Sequence, residues 1–278
     1  MKSKGKINAK LNLTLDVVGA NENFHQINSL VAEIKLFDFI SIKKRKDKKI
    51  TLTVKGERVP NDEQNNAYKS AKAFMEKYST NGVDIFLKKK IPVGGGLGGS
   101  SADIALVIKL MKGLYEIQGD EGDLYASLGS DVNYMANGGY AVLTGRGEKV
   151  RKIRSNKVFY LILAVCEQQV SAKDCYREYD SQGVTYKENT EKAEKTLLKE
   201  DYDNFIKCLG NHLFESAIKL SPKIKENYLQ LKNECENVYM TGSGSTVYAI
   251  FTDKKQRDIS YKKLKSKMRL IKTQTVIR

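Results

Sequence analysis

Five glycines within the twelve residues Pro92 to Asp103 (Pro-Val-Gly-Gly-Gly-Leu-Gly-Gly-Ser-Ser-Ala-Asp) constrain this chain more than any other stretch. Glycine admits positive φ and close approach by another group, because no Cβ stands in the way. A helix follows at once. Ile104, Val107, Ile108 and Met111 recur at i, i+3, i+4 and i+7, the apolar stripe of a helix, and Ser100 or Ser101 suits its N-cap. Successive backbone N–H groups in such a loop form an anion-binding concavity, to which a helix N-terminus adds unpaired donors and partial positive charge. The first expectation is therefore a phosphate cradle. A tight structural turn is the plainer alternative. Gly94, Gly96 and Gly99 also spell G-x-G-x-x-G, but Glu116 and Asp120 sit in a loop-like stretch, where a dinucleotide fold wants its acidic residue on a βαβ unit. No Gly-Lys-Ser/Thr closes the run as a P-loop requires.

A chain of 278 residues has room for one large or two modest domains with a real core. Its longest apolar runs, such as Val158 to Cys166, are far too short to span a bilayer. The charged N-terminus leads into no apolar segment, so secretion is not expected. Cys166, Cys175, Cys208 and Cys235 form no C-x-x-C pair; Cys208 and His212 lie four apart, but two ligands do not make a zinc site. The cysteines read as reduced thiols of a cytoplasmic protein. The formal net charge of +15 suits either nucleic acid or polyanionic small molecules. Runs such as Lys43 to Lys46 contain no interleaved aromatic residue, and there is no tryptophan, so single-strand stacking finds no support in the linear sequence.

Taken in order, residues 7–17 alternate apolar and polar as one strand, with Lys10 and Asn12 on the polar face about 7 Å apart. An ordinary wet sheet face is the bland interpretation. After a turn, Phe24 and His25 can hold a flat heterocycle or form a core edge. Strands are expected around 26–36, 39–43, 50–54 and 83–87, with a helix over 66–78. Lys88, Lys89 and Lys90 lead into the glycine loop and would enrich positive potential beside a polyphosphate. In Leu128-Gly129-Ser130-Asp131-Val132, Ser130 or Asp131 either caps a short helix or presents a carboxylate that accepts a proton from a hydroxyl. A hairpin around 140–143 follows. Beyond it, a strand over 158–165 precedes helices over 173–180, 190–198, 202–209 and 222–231. Thr241-Gly242-Ser243-Gly244 is a second small-residue loop between strands, able to donate N–H groups to an anion. A last helix after Asp253 and a strand over 268–277 complete the chain.

Three of these motifs, in this order, resemble the GHMP kinases (galactokinase, homoserine kinase, mevalonate kinase and relatives): Lys10-Leu11-Asn12-Leu13, Pro92 to Ala102, and Thr241 to Gly244. Asn23-Phe24-His25 and Leu128 to Val132 bring the chain closest to the members that phosphorylate the 2-hydroxyl of a cytidine diphosphate methylerythritol. It departs from them in Asn23-Phe24 for Gly-Tyr, in Asn133 for Pro, and in a glycine loop one residue shorter. The resemblance implies a two-domain α+β fold: residues 1–153 similar to domain 2 of ribosomal protein S5 and binding ATP, and 154–278 ferredoxin-like. It also implies ATP with Mg²⁺. Lys10 and Asp131 would be catalytic, with Asp131 as base. The nucleotide would be held by Lys89, Pro92, Gly94, Gly95, Gly96, Leu97, Gly98, Gly99, Ser100 and Ser101. Asn12, Phe24, His25, Tyr176, Thr241, Gly242 and Ser243 would hold the small-molecule substrate. No metal ligand is named by the sequence, Ser101 being the one suggestion, and neither nucleic acid nor membrane is expected as partner. A kinase of homoserine or a mevalonate derivative is the nearest alternative, and a basic nucleic-acid-binding protein of S5-like fold the alternative from another class.

Overall fold

The computed structural model describes residues 1–21, 24–184 and 186–278; Asn23, part of the Asn23-Phe24-His25 motif, lies outside them. In chain order the elements are β1 (Lys2–Asn12), β2 (Thr14–Ala20), β3 (His25–Lys44), β4 (Ile50–Gly56), α1 (Asn66–Tyr78), β5 (Val83–Lys89), α2 (Gly99–Tyr115), α3 (Gly122–Leu128), α4 (Val132–Asn137), β6 (Tyr140–Gly145) and β7 (Lys149–Ile153). There follow β8 (Tyr160–Ala164), α5 (Ala172–Gln182), α6 (Thr190–Leu198), α7 (Tyr202–Lys207), β9 (Gly210–Asn211), α8 (Phe214–Leu220), α9 (Pro222–Lys232), β10 (Val238–Met240), β11 (Val247–Phe251), α10 (Lys254–Leu264) and β12 (Leu270–Gln274). Two compact units result. The first comprises Met1–Ala9, Leu36–Val93 and Gly98–Gly138, and the second Lys10–Lys35, Gly94–Leu97 and Gly139–Arg278.

In the first unit β5 lies between β4 and the second half of β3. It runs parallel to β4, with α1 as the crossover, and antiparallel to β3. Period-two alternation along β5 buries Val83, Ile85, Leu87 and Lys89 and turns Asp84, Phe86 and Lys88 the other way. Against the buried face pack α1, through Ala67, Ala71 and Phe74, and α2, whose expected stripe Ile104, Val107, Ile108 and Met111 is buried. Helix α2 begins at Gly99, immediately before the two serines. Gly98 is its N-cap, in the left-handed region at φ 69° and with no side-chain cap, so neither Ser100 nor Ser101 caps it.

In the second unit the first half of β3 pairs antiparallel with β2 and with β6, and β6 with β7. A second sheet has the order β10-β11-β8-β12, antiparallel throughout. Its four strands stand in space as second, third, first and fourth in the chain, with α10 between the last two, which is the expected ferredoxin-like arrangement. The core beneath it gathers Ile162, Ala164, Leu213, Ile224, Leu231, Val238 and Val247. The expected strand over 7–17 is two strands meeting at Leu13, and the expected strands over 26–36 and 39–43 are one of 20 residues, β3. From Ala9 to Asp16 both faces are buried, Lys10 and Asn12 included, so the polar face is not a wet one. No helix among the described residues is long and apolar enough to cross a membrane.

Candidate active site

The glycine loop turns as its composition demands. Gly94, Gly96 and Gly98 take φ of 65°, 71° and 69°, alternating with residues outside that region, and such alternation points successive N–H groups to one side. Space is as restricting as dihedral angle at Gly96, where a Cβ would lie 2.3 Å from the Thr241 carbonyl oxygen and 3.0 Å from that of Gly244. Helix α2 starts without a side-chain cap, and an uncapped helix N-terminus is a favourable place for anionic oxygens.

Within the second unit, the Gly94–Leu97 segment is fastened to β1 and to the 241–245 loop. Lys10 N–H donates to the Leu97 carbonyl at 3.0 Å, and Ser245 N–H to that of Gly94 at 3.3 Å. The Thr241 hydroxyl accepts the Asn12 N–H at 2.9 Å and lies within donating reach of the Gly96 carbonyl (3.2 Å) and Asn12 Oδ1 (3.4 Å). Asn12 is itself oriented: Oδ1 accepts from Lys10 Nζ at 2.6 Å, and Nδ2 donates to Ser29 Oγ at 2.8 Å. The buried Lys10 ammonium is therefore aimed by an amide whose own orientation is fixed on both sides. Gly242 closes on Gly96, a Cβ there reaching 3.1 Å from the Gly96 Cα, and Ser243 stands half-buried at the loop tip.

Within the first unit, Asp131 is the residue before α4, and its carboxylate makes no cap hydrogen bond. The helix-cap interpretation of Asp131 thus loses its bond. The corner preceding it reaches the first turn of α2, since a Cβ on Gly129 would lie 3.9 Å from Ser101 Oγ. Ser100 Oγ accepts from Asn66 Nδ2 at the start of α1.

Lys89 requires a correction. Its ammonium has three N–H donors, and they go to Asp38 Oδ2 at 2.5 Å, Asp103 Oδ2 at 2.7 Å and the Gly99 carbonyl at 3.0 Å. Lys89, Asp38 and Asp103 are all buried, so the three donors of Lys89 are spent within this cluster and leave none directed at the loop's anion-binding side. Asp38 Oδ1 accepts from the N–H groups of Lys90 and Ile91, so the cluster ties the strand entering the loop to the helix leaving it. Burial pulls the Lys89 ammonium down, but Asp103 and Asp38 outweigh it and hold it above the ordinary lysine value. Burial pushes the Asp103 carboxyl up to about 7 against the attraction of Lys89. Asp103 Oδ1 is buried with no hydrogen-bond partner, which makes its carboxyl the natural place for a proton.

The residues expected to face a heterocycle also meet. The His25 and Tyr176 rings stack, centroids 4.5 Å apart and 18° from parallel, and His25 Nε2 lies 2.7 Å from Asp180 Oδ1. Tyr176 and Asp180 share a face of α5 at i, i+4. Phe24 stands exposed beneath the Arg146 guanidinium, 4.6 Å from its ring centroid. Sequence inspection missed Asp180 and Arg146; the i, i+4 spacing from Tyr176 could have found the first. Ser29, Asp38 and Asp103 had no such signal, being ordinary polar residues in strand or helix patterns.

Models of two families match the chain: the GHMP kinases N terminal domain over residues 65–144 and the GHMP kinases C terminal domain over residues 193–270. The chain is 33% identical over 254 residues, 89% of its length, to the 4-diphosphocytidyl-2-C-methyl-D-erythritol kinase of Macrococcus caseolyticus, covering 90% of that protein. It is 34% identical over 274 residues to the enzyme of that name from Clostridium beijerinckii, covering 95% of this chain and 96% of the relative. A solved 4-(cytidine 5'-diphospho)-2C-methyl-D-erythritol kinase shares the fold at a TM-score of 0.83 and 24% identity, over 99% of this chain and 100% of that one. Homoserine kinase from Cytophaga hutchinsonii does so at 0.74 and 16%, over 99% and 95%.

Proposed function

The chain belongs to the GHMP kinase family, and we propose that it transfers the γ-phosphoryl group of ATP to the 2-hydroxyl of 4-diphosphocytidyl-2-C-methyl-D-erythritol, a step of isoprenoid precursor biosynthesis. The observation that carries the choice of acceptor is identity of 33–34% along nearly the whole chain to enzymes of that name. The division between the two family domains is placed at residue 153, inside the stretch that neither family model covers.

Phosphoryl transfer depends on positioning and charge neutralisation more than on covalent chemistry. The glycine loop and the α2 N-terminus hold the ATP phosphates through backbone N–H groups. Asp131 takes the proton of the 2-hydroxyl as its oxygen bonds to the γ-phosphorus and the bond to the bridging oxygen of ADP breaks. The Lys10 ammonium stabilises the charge that builds up on the transferring group. Asn12 aims Lys10 and, with it, positions the acceptor, while the 241–243 loop holds its polar part. Phe24, His25 and Tyr176 grip the cytosine by stacking. Among the described residues no group of three or more His, Cys, Asp or Glu side chains is arranged to hold a metal. Mg²⁺ would be held through nucleotide phosphates, waters and few protein ligands, with Ser101 the one side chain suggested for it, and the ion would neutralise phosphate charge. The four buried free cysteines support a reducing, cytoplasmic setting. A coupled ADP-release assay offering the cytidine substrate, homoserine and mevalonate tests the assignment. Turnover of homoserine or mevalonate without turnover of the cytidine compound overturns it.

A further inference from the structure

The outward face of the first unit's sheet plays no part in phosphoryl transfer as set out above, yet it combines two features that solvent alone does not require. Residues paired directly across strands share a face. Phe86 on β5 pairs with Ser41 on β3 and Thr53 on β4, and Lys88 pairs with Phe39 and Lys55. Phe37, two residues before Phe39, falls on the same face. The Lys6 and Lys90 ammoniums lie 4.5 and 5.3 Å from its ring centroid. On β1 the lysines at 2, 4 and 6 are exposed and alternate with Ser3, Gly5 and Ile7. Gly5 looks the opposite way, a Cβ there meeting Leu106 of α2 at 3.0 Å, so these lysines point away from the helices.

One shallow groove is lined by the three phenylalanines together with Lys6, Lys55, Lys88 and Lys90. No carboxylate lines it. Asp84, further along the same face, is engaged by Arg45 and Thr51. Phe39 and Phe86 are diagonal neighbours, about 7 Å apart, so adjacent flat groups can each find a ring. In the linear sequence the basic runs hold no aromatics; the cross-strand register interleaves them.

We propose that this face binds single-stranded nucleic acid, its phosphates on the lysines and its bases on the phenylalanine rings. Charge decides against a second copy of the chain, which would set lysine against lysine. Exposure decides against a lipid surface: the three rings are half-buried, where membrane anchors stand exposed. The proposal is independent of the kinase assignment, because none of Lys4, Lys6, Lys55, Phe37 or Phe86 has a role in it.

Fluorescence anisotropy with a labelled 20-nucleotide uridine-rich RNA and the matching duplex, using the full chain from 50 to 200 mM salt, tests the proposal. The single strand is expected to bind more tightly than the duplex. In K4Q/K6Q/K55Q the log–log salt slope should fall by about 2, for three lost phosphate contacts on a single strand, with ADP-release turnover unchanged. In F37L/F86L affinity should drop at least fivefold at unchanged slope. Should that variant fail to fold, photo-crosslinking of 5-bromouridine RNA to the unaltered protein replaces it, with adducts expected on the peptides holding Phe37, Phe39 or Phe86. Equal binding of duplex and single strand, an unchanged slope in the lysine variant, an unaffected phenylalanine variant, adducts elsewhere, or binding of anionic vesicles without binding of RNA would each overturn it.

Discussion

The hydroxyl of Thr241 accepts the backbone N–H of Asn12 at 2.9 Å, a buried bond between residues 229 apart in sequence. It brings the loop after β10 onto β1 at the residue that aims Lys10. Thr241→Val keeps the volume and removes the acceptor. The buried Asn12 N–H is then unsatisfied, which costs about 1–3 kcal/mol, and the Gly96 carbonyl loses its neighbouring donor. Urea denaturation should show that loss. Steady-state kinetics should show a several-fold higher KM for ATP, and Thr241→Ser should restore both. Wild-type stability and KM for ATP in the valine variant would show that Thr241 does not hold the glycine loop in place.

Asp103 gives the stability a pH dependence of unusual sign for a carboxylate. Burial raises its folded value to about 7 from the ordinary 3.8. Between those two values the folded chain keeps a proton that the unfolded chain gives up, so raising the pH lowers stability. The contribution is complete below about pH 4 and gone above about pH 7. Exposed carboxylates such as Asp47, held low by the Arg45 guanidinium, act in the opposite sense, losing stability as pH falls. The comparison is therefore made between the wild type and Asp103→Asn. Urea midpoints from pH 4.5 to 7.5 should fall relative to those of the variant as pH rises. Parallel profiles would show that Asp103 is ionised throughout.

What the sequence made legible follows from how far each signal reaches. Period and spacing are local, and they found β5, α2 and the glycine loop because Ile85, Leu87, Ile104 and Ile108 each need only their chain neighbours to declare a buried face. The Lys10–Asn12 pair was legible as two residues on one strand face. Its burial was not, because that depends on Ser29 and Thr241, far along the chain. The burial of Lys89 was hidden for the same reason. Three consecutive lysines look like a solvated basic run, and only the pairing of β5 with β3 turns the middle one inward onto Asp38. The short β9 and α8 gave no sign at all. The two residues of β9 are ordered by their parallel pairing with Thr14 and Leu15, and no local pattern encodes that.

In the proposed mechanism the stack of Tyr176 on His25 serves the acceptor and not ATP. Tyr176→Ala removes a ring from the cytosine grip and leaves the glycine loop alone. A base–aromatic stack is worth about 1–3 kcal/mol, so the KM for the cytidine substrate should rise roughly 5- to 150-fold, with the KM for ATP within twofold of wild type. Tyr176→Phe should be near normal, since the ring and not the hydroxyl does the stacking. A rise in the ATP constant alone would move Tyr176 to the other substrate.

Asp131 and Lys10 carry the chemistry in the proposed mechanism, and their variants should differ from the binding variants in kind. Asp131→Asn keeps the shape and loses the proton acceptor. Its kcat should drop roughly 100-fold or more, while ATP still binds with near-normal affinity by equilibrium titration. Lys10→Ala should lose kcat on a similar scale, because its charge matters most when the γ-phosphoryl group is in transit. It should also lose some stability, since Asn12 Oδ1 gives up its 2.6 Å partner. Lys10→Arg separates charge from geometry. The guanidinium keeps the charge but is planar and longer, and a site whose amide is fixed by Ser29 cannot move to receive it, so little activity should return. Substantial turnover in Lys10→Arg would mean that positive charge alone suffices and that the aim set by Asn12 does not matter. Turnover in Asp131→Asn near the wild-type rate would assign proton removal to another group or to water.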